Sequence, residues 1–78
     1  MAVTAYLFIE TEGGKTAGVV TAIRGMDGVI TADAITGPSD VIVRLETTDI
    51  DALGRMVVSE IQAIDGIKRT QTCPVVNL

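Results

Sequence analysis

The spacing of hydrophobic residues divides the chain into six elements. Residues 2–10 carry apolar side chains at both odd and even positions, which is typical of a strand covered on both faces. Residues 15–24 repeat apolar residues at the period of a helix, and the glycines of residues 25–28 end it. The inner face of this helix is predicted to consist of Val19, Val20 and Ile23. Two strands are expected next, at residues 29–36 and 40–46.

The second helix has the clearest pattern in the chain. Thr48 has the position of an N-cap, and Asp51, three residues later, completes an acidic variant of the capping box. Apolar residues then recur at steps of three and four, which predicts a buried face made of Ile50, Leu53, Val57, Ile61 and Ile64. Asp65-Gly66 ends the helix. Residues 67–76 form the last predicted strand, in which Pro74 indicates an edge or a bulge.

The resulting βαββαβ order contains an internal repeat. Residues 23–29 match residues 61–67, and both segments combine a helix end, an Asp-Gly stop and a strand start. Right-handed crossovers in both halves place the two helices on one face of a four-stranded antiparallel sheet with strand order 4-1-3-2. We therefore predict one α+β domain over residues 1–78, of the ferredoxin-like type.

The other face of that sheet has no helix to cover it. On the third strand, Ile42 alternates with Arg44 and Glu46 against an apolar face, so the uncovered face is mixed rather than polar. Hydrophobic residues make up 47% of the 78 residues, which is more apolar material than a small monomer easily buries. We therefore expect two sheets to pack face to face in a symmetric dimer.

Charge and residue content weigh against several classes of function. The net charge of −4 opposes binding to nucleic-acid phosphates. The chain contains no histidine and a single cysteine, which weighs against hydrolytic and metal-dependent chemistry and agrees with a reducing cytosol. The apolar run at residues 5–9 is too short to cross a bilayer and lacks the basic flank of a signal peptide. We expect a cytoplasmic protein with no membrane partner, metal or cofactor.

Three isolated features have simple structural explanations. Residues 13–16 have the sequence of the end of a phosphate-binding loop, but the glycine required five residues before Gly14 is replaced by Ile9. A plain turn is preferred there, with weak anion binding by its N–H groups left open. Cys73 is expected in the core or at an interface, because no histidine is present to activate it. Asp33 is expected on a solvated sheet edge.

The turn between the second and third strands has two interpretations. Gly37, Pro38, Ser39 and Asp40 form a hairpin connection that needs no ligand. The same turn is also able to hold a zwitterion, with N–H groups beside Gly37 donating to an α-carboxylate and Asp40 accepting from an α-ammonium. Spacing alone leaves both interpretations open.

An ordered set of motifs resembles the effector-binding domain of the Lrp/AsnC family, also called the regulation-of-amino-acid-metabolism domain. The set comprises Gly-x-x-Asp at residues 37–40, the alternating strand after it, Asp51-Ala52-Leu53, the helix end and strand start at residues 61–67, and Thr70-Gln71-Thr72. The resemblance covers essentially the whole chain. It implies a ferredoxin-like subunit that forms a dimeric α/β barrel, often in rings of dimers, and binds amino acids or related small effectors near dimer contacts.

Position by position, the resemblance also implies a site. Gly37 and Asp40 match the effector loop of the family, and Pro38 and Ser39 occupy variable positions that shape it. Thr70 and Thr72 match a segment of the last strand that lies near the ligand in family members. The sequence therefore predicts an effector site made of Gly37, Pro38, Ser39, Asp40, Thr70 and Thr72.

Transcription factors of this family carry an N-terminal helix-turn-helix, and no such segment is found in the sequence. The prediction is a stand-alone, non-enzymatic amino-acid sensor and homo-oligomer that makes no direct nucleic-acid contact and modulates full-length Lrp/AsnC regulators by mixed assembly. Two alternatives stay open. One is a small enzyme of the dimeric α/β-barrel type, such as a monooxygenase-like protein, and the other is a purely structural oligomerisation module.

Overall fold

The fold is a four-stranded antiparallel sheet with two helices on one face. The computed structural model describes residues 2–78. Its elements, in chain order, are β1 (Val3–Thr11), α1 (Thr16–Arg24), β2 (Val29–Ala34), β3 (Val41–Thr47), α2 (Ile50–Arg55) and β4 (Ile67–Pro74). The strands lie in the order β2-β3-β1-β4, and neighbouring strands are antiparallel. The predicted ferredoxin-like arrangement is confirmed.

The core lies between the sheet and the helices. Strands β1 and β3 supply alternate residues that are completely buried, namely Ala5, Leu7, Ile9, Val41, Val43 and Leu45. Helix α1 contributes Val19, Val20 and Ile23, as its spacing predicts. On the opposite face of β1, Tyr6 and Phe8 are only half-buried, because no helix covers that side of the sheet.

The second helix differs from its prediction at its start. The N-cap is Asp49 rather than Thr48, because the extended backbone of Asp49 lets its carboxylate accept a hydrogen bond of 2.7 Å from Ala52 N. Thr48 is exposed and lies outside the helix. The neighbouring Thr47 hydroxyl donates to the Asp49 carbonyl at 2.9 Å, which fixes the entry of the chain into α2.

The same helix also differs in its second half. After α2, residues Met56–Ile61 continue as a π-helical segment, closed by a hydrogen bond of 2.9 Å from Gln62 N to Val57 O. The wider turn changes which side chains face the sheet, so Met56 joins Leu53, Val57 and Ile61 in the core. Ile50, predicted to be on the buried face, is 56% exposed. Ile64 is half-buried in the turn that follows, beyond the end of the helical residues.

Two equivalent glycines explain the internal sequence repeat. Gly28 precedes β2 and Gly66 precedes β4, and their φ angles are 91° and 99°, values that residues other than glycine rarely adopt. A Cβ atom on Gly28 would lie 2.8 Å from the carbonyl oxygen of Glu46, and one on Gly66 would lie 2.5 Å from Cβ of Lys15. Each Asp-Gly pair therefore marks a place where the chain must turn sharply against a neighbouring segment.

The strand ends also differ from the predicted boundaries. Strand β2 stops at Ala34, so residues 35–40 form a longer connection than the predicted tight turn. Pro74 is the last residue of β4, which is an edge strand as expected from that proline. Asp33 lies on the other edge strand, where its exposed side chain is 3.4 Å from Nη2 of Arg24.

Candidate functional site

The connection between β2 and β3 is anchored to the end of β1 through Asp40. Asp40 N donates to the carbonyl of Ile9 at 2.9 Å, and the Asp40 carbonyl accepts from Ile35 N at 2.9 Å. The Asp40 carboxylate accepts a further hydrogen bond of 2.8 Å from Thr11 N, through its Oδ2 atom. These three bonds fix the base of the loop, while Gly37 and Pro38 at its tip are exposed.

A cavity of about 460 Å³ lies beside this loop. It combines apolar side chains with charged and hydrogen-bonding ones, and its lining residues are Phe8, Glu10, Pro38, Ser39, Arg69, Thr70 and Gln71. Phe8 and Glu10 come from the central strand β1, and the register places Gln71 and Arg69 of β4 directly opposite them. The loop therefore borders a patch that two adjacent strands build.

An ion pair occupies one end of this cavity. Nε of Arg69 donates a hydrogen bond of 2.7 Å to Oε2 of Glu10, and Nη2 of Arg69 lies 2.6 Å from the same oxygen. The Arg69 side chain is 76% exposed and that of Glu10 is 33% exposed, so solvent screens the pair. Immediately beyond it the β1–β4 register shifts between Glu10 and Thr11. Irregularities of this kind are over-represented beside functional sites, where they redirect a side chain or end the strand pairing.

The two threonines of the predicted site lie on β4, but only Thr70 borders the cavity beside the loop. Thr70 borders the cavity beside the loop, and its hydroxyl accepts a hydrogen bond of 2.9 Å from Nε2 of Gln62. Thr72 lies against a separate groove of about 420 Å³, together with Ile50 and Val58 of the second helical region. Thr70 is common to both depressions.

The predicted residues are thus only partly brought together. Pro38, Ser39 and Thr70 line the cavity beside the loop, whereas Gly37 and Asp40 do not line it, and Thr72 lines the groove on the helical side. The sequence did not predict four of the residues that line this cavity, namely Phe8, Glu10, Arg69 and Gln71. The pairing of Glu10 with Arg69 was predictable in principle, because antiparallel β1 and β4 bring the acidic end of one strand beside the basic start of the other.

A second ion pair, outside the cavity, joins the β1–α1 loop to the start of β4. Nζ of Lys15 lies 2.8 Å from Oδ2 of Asp65. This hydrogen bond and the opposite charge raise the pKa of Lys15 and lower the pKa of Asp65. Lys15 therefore holds the loop at residues 13–16 to the turn that precedes β4.

The described residues hold no cluster of three or more side chains suited to a metal ion. In residues 2–78, no helix has the length and apolar character needed to cross a membrane. Cys73 is half-buried and lies opposite Tyr6 in the sheet, on the face without helices.

Comparisons with known proteins give a consistent result. The Lrp/AsnC ligand binding domain matches residues 4–77. Among curated proteins, no sequence matches the chain significantly.

Solved structures match the whole fold. A protein from Thermus thermophilus is 25% identical with a TM-score of 0.92, and the match covers 97% of this chain and 95% of that one. Escherichia coli AsnC is 25% identical with a TM-score of 0.91, over 97% of this chain and 52% of AsnC. A Neisseria meningitidis transcriptional regulator, solved as a complex with L-methionine, is 21% identical with a TM-score of 0.87, over 96% of this chain and 50% of the regulator.

The chain spans about half the length of the two named regulators and nearly all of the Thermus protein. The family match extends over almost every residue, and the strand order and helix placement are those of its structural neighbours. The chain therefore belongs to the Lrp/AsnC family, as a ligand-binding domain of that type.

Proposed function

We propose that this chain is a cytoplasmic, non-enzymatic sensing module that binds an amino acid or a related small effector as a homo-oligomer. The observation that carries the proposal is the cavity of about 460 Å³ beside the loop at residues 35–40, in a chain that belongs to a ligand-binding domain family. Cavities of this size are within the range that holds small ligands, and a few convergent polar groups give such sites their selectivity.

The effector site is proposed to include the loop residues Gly37, Pro38, Ser39 and Asp40 and the strand residues Thr70 and Thr72. Pro38, Ser39 and Thr70 contribute to the cavity wall. Asp40 holds the base of the loop through its bond to Thr11 N, and Gly37 leaves the backbone at the tip of the loop uncovered. A structural neighbour with a bound amino acid, the Neisseria regulator, supports this class of ligand.

Homo-oligomerisation is proposed to occur through the sheet face that lacks helices. Tyr6, Phe8, Ile42 and Cys73 are half-buried there, and a second sheet packed against them would remove this apolar surface from water. Light scattering at micromolar concentration should give a mass at least twice the 8.2 kDa of one subunit. A mass of one subunit would contradict this part of the proposal.

The module is proposed to act without direct nucleic-acid contact, in keeping with its net charge of −4. Its targets would be full-length Lrp/AsnC regulators, with which it would form mixed assemblies through the same sheet face. Coexpression with such a regulator, followed by mass determination of the purified complex, tests this step. Recovery of only the two separate homo-oligomers would contradict it.

A thermal-shift series with the twenty amino acids tests effector binding. A ligand with a dissociation constant of about 1 mM, present at about 10 mM, should stabilise the folded state by about 1.4 kcal/mol. For a chain of this size, that free energy corresponds to an increase in Tm of about 6–11 °C. If no amino acid raises Tm, the chain is better described as a structural oligomerisation module.

A further inference from the structure

The outer edge of the sheet at β2 carries backbone groups that face away from the other strands. β2 is an edge strand of six residues, and its neighbour in the sheet is β3. Ile35 N donates to the carbonyl of Asp40 at 2.9 Å, so the backbone groups of Ile35 are directed toward β3. Because successive residues of an antiparallel strand alternate in direction, the N–H and carbonyl groups of Ala32 and Ala34 are directed to the outer edge.

The side chain of Arg24, the last residue of α1, reaches this outer edge. Its Nε donates to the carbonyl of Ala32 at 2.8 Å, in a half-buried environment. Its Nη2 lies 3.4 Å from Oδ1 of Asp33. A depression of about 250 Å³ runs beside the strand, and Arg24 is the one residue from outside β2 among those that line it. A single side chain therefore occupies an outward acceptor of this strand.

Without that side chain, β2 would have the features of a strand that pairs with another chain. A row of unpaired N–H and carbonyl groups is a template for a further strand. Ile30 is 51% exposed and Ile35 is 37% exposed, so pairing would also remove apolar surface from water.

The strand has a second protection, which covers only its first half. The register with β3 shifts between Val29 and Thr31, so Ile30 lies in a bulge. A bulge twists the edge and disrupts the regular spacing that a further strand needs. The regular part of the edge is the segment with Ala32 and Ala34, and Arg24 lies on that segment.

We propose that Arg24 keeps the outer edge of β2 closed against pairing with β2 of a second copy of the chain. A second copy is the partner because every copy presents the same edge, and two antiparallel copies of one strand form a self-complementary contact. Charged side chains on an edge strand are a common protection against such pairing. Face-to-face packing of two sheets leaves the strand edges at the sides of the dimer, so this inference goes beyond the proposed function.

The test is light scattering of Arg24→Ala over about a hundredfold range of protein concentration, because association follows mass action. At the upper end of the range, the mass should be twice that of the parent assembly. Asp33→Asn keeps the donor on Ala32 and should have the parent mass. Arg55→Ala is the matched control, since Arg55 is the basic residue in the last turn of α2 as Arg24 is in that of α1, and it should also keep the parent mass.

Two further measurements distinguish edge pairing from a loss of folded structure. Ala34→Pro removes an outward N–H group without removing a bond to β3, so the double variant Arg24→Ala/Ala34→Pro should return to the parent mass. The N–H groups of Ala32 and Ala34 should exchange with solvent about tenfold or more slowly in concentrated Arg24→Ala than in the parent chain. Circular dichroism melts establish that each variant is folded.

Three results would overturn the role given to Arg24. One is an Arg24→Ala mass equal to that of the parent chain at every concentration. Another is association that the proline at residue 34 does not reverse. The third is association without slower exchange at Ala32 and Ala34, which would place the new contact elsewhere. None of these results depends on whether the chain binds an effector.

Discussion

The hydrogen bond between Asp40 and Thr11 makes a measurable prediction about how the loop is held. Oδ2 of Asp40 accepts from Thr11 N at 2.8 Å, across 29 residues of sequence, in a half-buried environment. Asp40→Ala removes the acceptor and leaves the Thr11 N–H to find water. Asp40→Asn keeps an oxygen at the same position but removes the charge.

The size of the effect follows from the type of bond. A hydrogen bond to a charged group contributes about 1.5–3 kcal/mol, and half-exposure favours the lower part of that range, so Asp40→Ala should lower the free energy of unfolding by about 2 kcal/mol. This is a large fraction of the roughly 4–12 kcal/mol expected for a chain of this length. It corresponds to a decrease in Tm of about 8–16 °C. Asp40→Asn should lose about half as much, because the neutral acceptor forms a weaker bond.

Urea unfolding at one fixed protein concentration measures these differences, since an oligomer changes its apparent stability with concentration. Asp27→Ala is the control, because Asp27 lies exposed in the turn after α1 and should change the free energy of unfolding by no more than about 0.5 kcal/mol. Equal losses in Asp40→Ala and Asp27→Ala would refute the assigned role of the Asp40 carboxylate.

The same variants separate loop positioning from ligand contact. If Asp40 only positions the loop, Asp40→Asn should bind the effector within about twofold of the parent chain, because the loop keeps its anchor. A loss of about tenfold or more in a folded Asp40→Asn variant would instead show that the charge contacts the ligand, as the sequence analysis expects.

Two further predictions concern stability. Asp49→Ala should lower the free energy of unfolding by about 1 kcal/mol because it removes the cap on Ala52 N, whereas Thr48→Ala should stay within about 0.5 kcal/mol in the same urea titration; equal effects would contradict the observed cap. The lowered pKa of Asp65 contributes stability that is present above its unfolded pKa near 3.8 and is lost as pH falls through the folded pKa. The raised pKa of Lys15 contributes stability that is present below its unfolded pKa near 10.5 and is lost as pH rises through the folded pKa. Asp65→Asn should therefore be slightly less stable than the parent chain at about pH 7, and the difference should shrink as pH falls through the folded pKa of Asp65; a difference that stays constant as pH is lowered would contradict the assignment.

Local pattern was sufficient for the architecture because each element carries its own signal. In β3 and α1, the side chains that are buried are those that the alternating and helical patterns predict. The repeated Asp-Gly pairs identified both sharp turns, since Gly28 and Gly66 adopt φ values that few other residues tolerate. These signals are short in range, so no tertiary information was needed to place them in the order βαββαβ.

The details that failed depend on neighbours in space. Three adjacent residues, Thr47, Thr48 and Asp49, all have side-chain oxygens suited to capping, and only the backbone path out of β3 decides that Asp49 is used. The π-helical turn after Arg55 also has no simple sequence signal, although it determines which side chains of that segment reach the core.

The candidate site shows the same division most clearly. The sequence by itself determined the family fold and drew attention to the loop at Gly37–Asp40, because turn residues and strand periodicity are local properties. Only the tertiary structure paired Glu10 with Arg69, which are 59 residues apart, and engaged the Asp40 carboxylate with Thr11 N. The physical reason is that strand register sets which side chains meet, and register is fixed by the packing of the whole sheet rather than by any one segment.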